Sequence, residues 1–277
     1  MLASLVARPT SGVFLSVIIP AFNERDRLPA TLDQSLSYLS DQDYGWEVVV
    51  VDDGSLDGTS DWVMQAHAQE DGVRLLRSER NRGKGAALAA GTSASRGERL
   101  LFMDADGGTP IVALPALEQA MSRTGSGVVV GQRMVAQRRP WLRRLMGFVF
   151  RRLAASCVAD VEDTQCGFKL LTRAAADGTM PHLHVQRWAY DVELLYLAQK
   201  LGIGVASAGV PALDVPGSKI QWYTPAQMML DIARISTCYR LGFWPLPSAR
   251  RSSNEEEGLL EDSGKRIAEY EEWERNR

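Results

Sequence analysis

Asp104-Ala105-Asp106 sets two carboxylates two residues apart directly after the apolar run Leu100-Leu101-Phe102-Met103. On a turn leaving a strand, such a pair suits a hard divalent cation such as Mg²⁺, which takes few protein carboxylates and completes its octahedron with substrate phosphates. The same pair also serves a plain turn, in which Asp side chains bond their own backbone. Two other apolar runs end in acids. Pro20-Ala21-Phe22-Asn23-Glu24 closes one and Asp52-Asp53-Gly54-Ser55 another. A carboxylate there can accept from a base N–H or a ribose hydroxyl while a metal beside it holds a diphosphate, so together the segments read as a site for a nucleoside diphosphate. Asn81-Arg82-Gly83-Lys84-Gly85 adds cations and glycines able to approach phosphate. It is not a Walker loop, because the four-residue spacer before Gly-Lys and the Ser or Thr after it are missing.

These groups can cooperate only if one fold brings the segments together. Short β-branched runs at 14–20, 46–52, 73–77, 99–103 and 128–131 alternate with helical patterns at 27–39, 60–68 and 85–94. The alternation predicts an α/β fold with a mainly parallel central sheet covered by helices on both faces. In such sheets ligands bind outside the carboxyl ends of the strands, which is where the polar segments fall. After Gly131 the pattern gives two arginine-flanked apolar helices across 141–159, a Cys/Gly-containing turn, a helix at 188–201, a short strand near Val205 and a helix at 225–241. These read as an extension of the same domain.

Composition narrows the function classes. The chain has 277 residues, 45% hydrophobic and 23% charged, with 31 Lys and Arg against 34 Asp and Glu. A net charge of -3 argues against nucleic acid as a partner. The segment 248–277, dominated by Ser, Glu and Arg, reads as a charged, flexible tail in which 269–277 could form at most a solvated helix. The stretch 133–159 holds seven Arg and no acid, a local cationic feature in an otherwise balanced body. Cys157, Cys166 and Cys238 are odd in number and lack the close spacing of zinc or disulfide frameworks, which predicts buried thiols in a reducing compartment. No signal peptide is expected, and no run of about 18 apolar residues lacks a charge, so membrane contact would be peripheral. His67, His182 and His184 lack acidic or Cys partners in sequence and read as packing residues.

The strings S-V-I-I-P-A-F-N-E at 16–24, V-V-V-D-D-G-S at 49–55, N-R-G-K-G at 81–85 and M-D-A-D-G at 103–107 resemble the inverting family 2 glycosyltransferases of GT-A fold. Farther along, E-D-T-Q-C-G-F-K at 162–169, Q-R-W-A-Y-D-V-E at 186–193 and P-G-S-K at 216–219 resemble the dolichyl-phosphate β-glucosyltransferase branch, close to other polyprenyl-phosphate glycosyltransferases. The resemblance spans about residues 14 to 244. It implies a single GT-A catalytic domain over 1–247, with a nucleotide-binding half near 14–131 and an acceptor- and membrane-facing half near 132–247. It further implies UDP-glucose as donor, a polyprenyl phosphate as acceptor, and Mg²⁺ or Mn²⁺ as cofactor. On that pattern the nucleotide sugar is bound by Pro20, Ala21, Glu24, Asp53, Lys84, Asp104, Ala105, Ser218 and Lys219. Asp53 meets the base, Asp104 the ribose or the metal-bound diphosphate, and Asp106 the metal, while Ser218 and Lys219 cap the diphosphate. Asp104, Asp106 and Asp163 form the catalytic set, and Gln165 and Asp191 position sugar or acceptor. The sequence departs from the branch at Pro110, where a Lys is usual.

Acceptor chemistry gives the arginines a use. A sugar hydroxyl must lose a proton as it attacks and needs a carboxylate base, whereas a phosphate monoester is already ionised and needs cations to place it. Arg133 and Arg144 are the candidates for gripping that phosphate. Asp163 is a base in the hydroxyl version and an orienting group in the phosphate version, and the sequence leaves both open. A helix from Trp141 puts Leu142, Leu145, Met146, Val149 and Leu153 on one side with Arg143, Arg144 and Arg151 largely off it, the pattern of an interfacial helix lying on a bilayer or of a core helix with solvated cations. With a lipid-phosphate acceptor, the expectation is a cytoplasmic enzyme held peripherally at the cytoplasmic face of a membrane. The alternatives are a soluble glycosyltransferase acting on a sugar or small-molecule hydroxyl, a haloacid-dehalogenase-like phosphatase, whose nucleophile motif is also D-x-D-G after an apolar strand, and a nucleotide-binding domain without turnover.

Overall fold

The computed structural model describes residues 12–67, 72–134, 163–213, 215 and 224–247. The expected helices across 141–159, Arg144, Cys157, Ser218, Lys219 and the segment 248–277 lie outside the described residues.

Strands β1 (Leu15–Ala21), β2 (Trp46–Asp52), β3 (Val73–Arg77), β4 (Arg99–Phe102), β5 (Val128–Met134), β6 (Lys169–Thr172) and β7 (Val205–Pro211) form one seven-stranded sheet in the order β3-β2-β1-β4-β6-β5-β7. The apolar runs of β1 and β2 are buried along almost their whole length. Continuous burial of this kind requires cover on both faces, and the connecting helices supply it. They are α1 (Leu28–Ser40), α2 (Thr59–His67), α3 (Lys84–Ala94) and α4 (Leu114–Thr124), followed by α5 (Arg173–Thr179), α6 (Tyr190–Lys200) and α7 (Thr224–Arg240). Small residues let α3 lie close to the sheet: a methyl on Gly91 would stand 2.5 Å from Ile18 Cγ2 and 2.9 Å from Val51 Cγ2.

The sheet is parallel except for β6, which runs antiparallel to both β4 and β5. Reversal matters for placement, since β6 begins where its parallel neighbours end. Lys169 opens β6 opposite Phe102 on one side and Val130 on the other, so the segment 163–168 before it arrives at the carboxyl end of the sheet. The sequence reading has only a Cys/Gly-containing turn here and omits β6. Four residues with a Lys at their head are too short for a periodicity, and their hydrogen-bond partners lie about seventy and forty residues earlier in the chain. It also omits α4, whose buried face is Leu114, Leu117, Ala120 and Met121, and α5, capped by Thr172 through a 3.2 Å bond from Ala175 N–H. The other elements agree with the expected ones within a few residues.

At the amino end of the sheet, Glu47 organises a polar cluster with 1% of its surface exposed. It accepts from Ser16 Oγ at 2.7 Å and Arg96 N–H at 2.6 Å, and pairs with Arg74 and Arg96 at 3.1 and 3.2 Å. Burial pushes its pKa up, but these donors and cations outweigh burial and hold the carboxyl below its ordinary 4.5. A lowered folded pKa contributes stability that is present above the ordinary value and is lost as the pH falls through the folded one. Glu47→Ala therefore removes about 2 kcal/mol, because the buried Ser16 hydroxyl and the Arg96 N–H are left without their acceptor. Chemical denaturation at pH 7 reads the loss, and the gap between wild type and variant should narrow as the pH is taken below 4.5.

Candidate active site

Each strand end delivers its polar segment to the same place. After β1 the chain turns through Asn23, held at φ +55. Asn23 N–H donates to Ser55 Oγ at 2.8 Å, and Asn23 Oδ1 accepts from Leu56 N–H at 2.9 Å, so the ends of β1 and β2 are laced together. Ala21 and Pro20 close β1, and the Ala21 carbonyl accepts from Asp53 N–H at 2.8 Å. Asp52 is fully buried and accepts from Ser55 N–H at 2.9 Å and from Ser60 Oγ. Asp53 turns its carboxylate to the 81–83 loop, one oxygen accepting from Arg82 N–H at 2.9 Å and the other from Gly83 N–H at 2.7 Å. Burial outweighs those bonds and raises its pKa. Gly83 has φ +107, and a methyl there would meet the Gln186 carbonyl oxygen at 2.6 Å. The Asp53-held loop thus fits against the 186–188 turn.

Lys84 opens α3 and pairs with Asp104, which follows β4. Burial works against the ammonium, but Asp104 and Asp191 reverse that and raise its pKa. Asp104 is likewise pushed up by burial and then held below its ordinary value by Lys84. Asp106 accepts from Gly108 N–H at 3.0 Å and lies 3.7 Å from Arg27. Arg27 in turn clasps Glu24 with two bonds, Nε to Oε2 at 2.6 Å and the terminal nitrogen to Oε1 at 2.5 Å. Glu24 therefore sets the guanidinium beside Asp106. A methyl on Gly167 would overlap the Asp104 carboxylate, so only glycine fits there.

On the other side of Asp104, Arg133 near the end of β5 binds Asp163 in fork geometry, Nε to Oδ2 at 2.8 Å and a terminal nitrogen to Oδ1 at 2.9 Å. Burial pushes Asp163 up, and the Arg133 guanidinium more than reverses it, leaving the carboxyl below its ordinary value. Arg133 is shifted upward by the same pair. Lys169, with no exposed surface, donates to the Cys166 carbonyl at 2.5 Å and pairs with Asp191 at the start of α6. Gln165 donates to Met228 Sδ at 3.7 Å. Cys166 is a buried thiol whose pKa burial raises. Glu193 serves packing: it accepts from Val185 N–H at 2.7 Å, His184 N–H at 3.0 Å and Tyr239 OH at 2.9 Å, while His184 stacks on Trp244 at 4.4 Å.

The sequence-predicted residues that converge are thus Glu24, Asp53, Lys84, Asp104, Asp106, Arg133, Asp163 and Asp191. Two cations escaped sequence reading. Arg27 carries no motif, and its signal is the i, i+3 spacing from Glu24. Lys169 closes the string E-D-T-Q-C-G-F-K at 162–169 but carries no role in the sequence reading, standing there as the lone charge before Leu170-Leu171. Among the described residues no three His, Cys, Asp or Glu side chains cluster as ion ligands. A pair of carboxylates, with Asp106 one-third exposed, nevertheless suits Mg²⁺ or Mn²⁺ bound together with substrate phosphates. Among the described residues no helix is long and apolar enough to cross a membrane.

Comparison with known proteins agrees with this geometry. Residues 16–195 match the family model "Glycosyl transferase family 2". The chain is 40% identical over 260 residues to the dolichyl-phosphate beta-glucosyltransferase of Mus musculus, covering 86% of this chain and 80% of the relative. It is 38% identical over 258 residues to the protein of that name from Dictyostelium discoideum, covering 87% and 79%. The crystal structure of glucosyl-3-phosphoglycerate synthase from Mycobacterium tuberculosis, in complex with Mn²⁺, UDP-glucose and phosphoglyceric acid, superposes with a TM-score of 0.62 at 20% identity, covering 81% of this chain and 80% of that one. The fold is GT-A. A family match of this length, joined to acids and cations gathered at the strand ends, leaves no place for the phosphatase alternative: the chain belongs to glycosyl transferase family 2.

Proposed function

We propose that this chain transfers glucose from UDP-glucose to the phosphate of a polyprenyl lipid of the dolichyl type, with inversion at the anomeric carbon, while held peripherally at the cytoplasmic face of a membrane. The relatives' shared name supports glucose as the sugar and dolichyl phosphate as the acceptor. From the geometry, the observation that carries the acceptor assignment is the Arg133–Asp163 fork. A catalytic base should have a pKa near the working pH. Asp163 is instead engaged by a guanidinium that holds its carboxyl below the ordinary value, which suits an orienting group better than a base.

In the reaction an acceptor phosphate oxygen attacks C1 of glucose, and the bond from C1 to the UDP oxygen breaks, its electron pair leaving with UDP. The acceptor arrives ionised, its second pKa being about 6, so no protein group need take a proton. Arg133, aligned by Asp163, meets the incoming phosphate. Asp53 fixes the 81–83 loop, which in turn sets Lys84 beside Asp104 for the diphosphate. Arg27 supplies a second cation next to Asp106. Asp104 and Asp106 are the residues that would hold a divalent metal, whose chemistry when bound is neutralisation of the leaving diphosphate.

Three outcomes test this reading. With radiolabelled UDP-glucose and a polyprenyl phosphate, label should enter the organic phase; label confined to water removes the acceptor assignment. Asp106→Ala should lower kcat by about two to three orders of magnitude, equivalent to roughly 3–4 kcal/mol, and EDTA should silence the wild type until Mg²⁺ or Mn²⁺ is restored. Asp163→Asn should raise the acceptor KM about tenfold and leave the acid limb of the pH profile in place, since that limb belongs to the acceptor. Loss of a true base would instead cost about 10²–10⁴ in kcat and abolish the limb.

A further inference from the structure

Lys169 stands where the sheet would accept an apolar residue. It opens β6 opposite Phe102 on one side and Val130 on the other, each 1% exposed, and the buried Leu170 and Leu171 follow it. A buried ion pair adds little net stability, and well-packed apolar side chains of like volume often do as well or better. Stability alone therefore does not account for pairing Lys169 with Asp191 here. The ammonium is bounded by the Cys166 carbonyl oxygen at 2.5 Å, the Asp191 carboxylate and the Tyr190 ring, whose centroid is 5.9 Å away. With no exposed surface, Lys169 cannot touch a substrate.

Its neighbours are the acids of the reaction centre. The Asp104 carboxylate packs directly on Gly167, two residues before Lys169, and Asp163 lies three residues before the Cys166 carbonyl that Lys169 holds. Burial pushes the carboxyls of Asp104 and Asp163 up, Lys84 and Arg133 respectively bring them down, and Lys169 adds to both effects. The other two cations differ in kind. Lys84 and Arg133 keep part of their side chains exposed, and both meet substrate phosphates in the reaction proposed above. A cation drawn toward a phosphate does less for its own carboxylate, because attraction falls with distance. Once both have turned to substrate, Asp104, Asp163 and Asp191 hold three negative charges beside the incoming phosphates. Among the described residues, Lys169 is the cation beside these three acids that has no path to a phosphate.

We propose that Lys169 is a positioning residue for the transfer, a fixed countercharge that stays with Asp104, Asp163 and Asp191 while Lys84 and Arg133 engage the two phosphates, and so sets the affinity for anionic substrates without touching them. The inference rests on the donor and acceptor reading above. It requires that binding follow the summed charge of the Lys169–Asp191 pair and the charge of the ligand, whatever the packing of the pair.

The test measures dissociation constants of labelled UDP, with Mg²⁺ present, and of labelled uridine, which lacks the phosphates, by equilibrium dialysis. Lys169→Met removes one positive charge and should weaken UDP about tenfold. Asp191→Asn removes one negative charge and should strengthen UDP several-fold. The double variant removes one of each and should bind UDP within about threefold of the wild type. Uridine should stay within about twofold throughout. UDP carries no sugar, so a role of Asp191 toward glucose does not enter the measurement. The double variant strands no buried charge, so the order of UDP affinities can be read from it, Asp191→Asn and the wild type even if Lys169→Met fails to fold. Parallel losses of uridine and UDP, or UDP affinities that follow melting temperature instead of charge, would make Lys169 a packing residue and overturn the inference. A wild type that binds UDP no better than uridine removes the donor reading, and the inference with it. Failure to label any polyprenyl phosphate removes the acceptor reading alone and leaves the order of UDP affinities to decide.

Discussion

Glu24, Asp53, Asp104, Asp106, Asp163 and Asp191 all come to the carboxyl end of one sheet, and like charges so placed repel strongly where water is scarce. Every one of them is answered. Arg27 serves Glu24 and Asp106, Lys84 serves Asp104, Arg133 serves Asp163, Lys169 serves Asp191, and backbone amides of the 81–83 loop serve Asp53. This compensation is what lets the strand ends converge at all. It also leaves Arg27, Lys84 and Arg133 already oriented by carboxylates, so that an anion binding at these strand ends would lose little side-chain freedom.

The same requirement explains several backbone details. Gly167 exists because the Asp104 carboxylate occupies the space a side chain would take, and Gly83 because its turn has a left-handed φ and lies against the Gln186 carbonyl. Glu193, fully buried, ties the backbone of His184 and Val185 to Tyr239 on α7. The 186–188 turn, which touches Lys84 through Trp188, is thereby fixed to the same framework as the C-terminal helix.

Much of this was legible in the residues themselves, for a local reason. β1, β2 and β4 announce themselves because a strand buried on both faces is a run of Val, Ile and Leu, and the acids that follow are visible as interruptions of those runs. β6 has no such signature: it is short, carries Lys169, and is defined by partners supplied from elsewhere in the chain. The site divides in the same way. Asp53, Asp104 and Asp106 stand at strand ends and could be named, whereas the Arg133–Asp163 fork joins residues thirty apart and depends on β5 and β6 pairing in one register. Arg27 was hidden for a different reason, since an arginine at a helix start looks like ordinary surface charge until Asp106 is beside it.

The position of β6 also bears on how the protein is made. Its four residues are the hydrogen-bonded link in the sheet between β3-β2-β1-β4 and β5-β7. As synthesis runs from the N-terminus, β1 to β4 emerge first and can pair among themselves, but β5 has no strand edge to join until residue 172 has been delivered. Pairings that span long separations are slow to form. The nascent chain therefore holds the sheet β3-β2-β1-β4 with an open β4 edge for the time needed to synthesise about seventy further residues, and seating of β6 closes that edge and gives β5 its partner in one event.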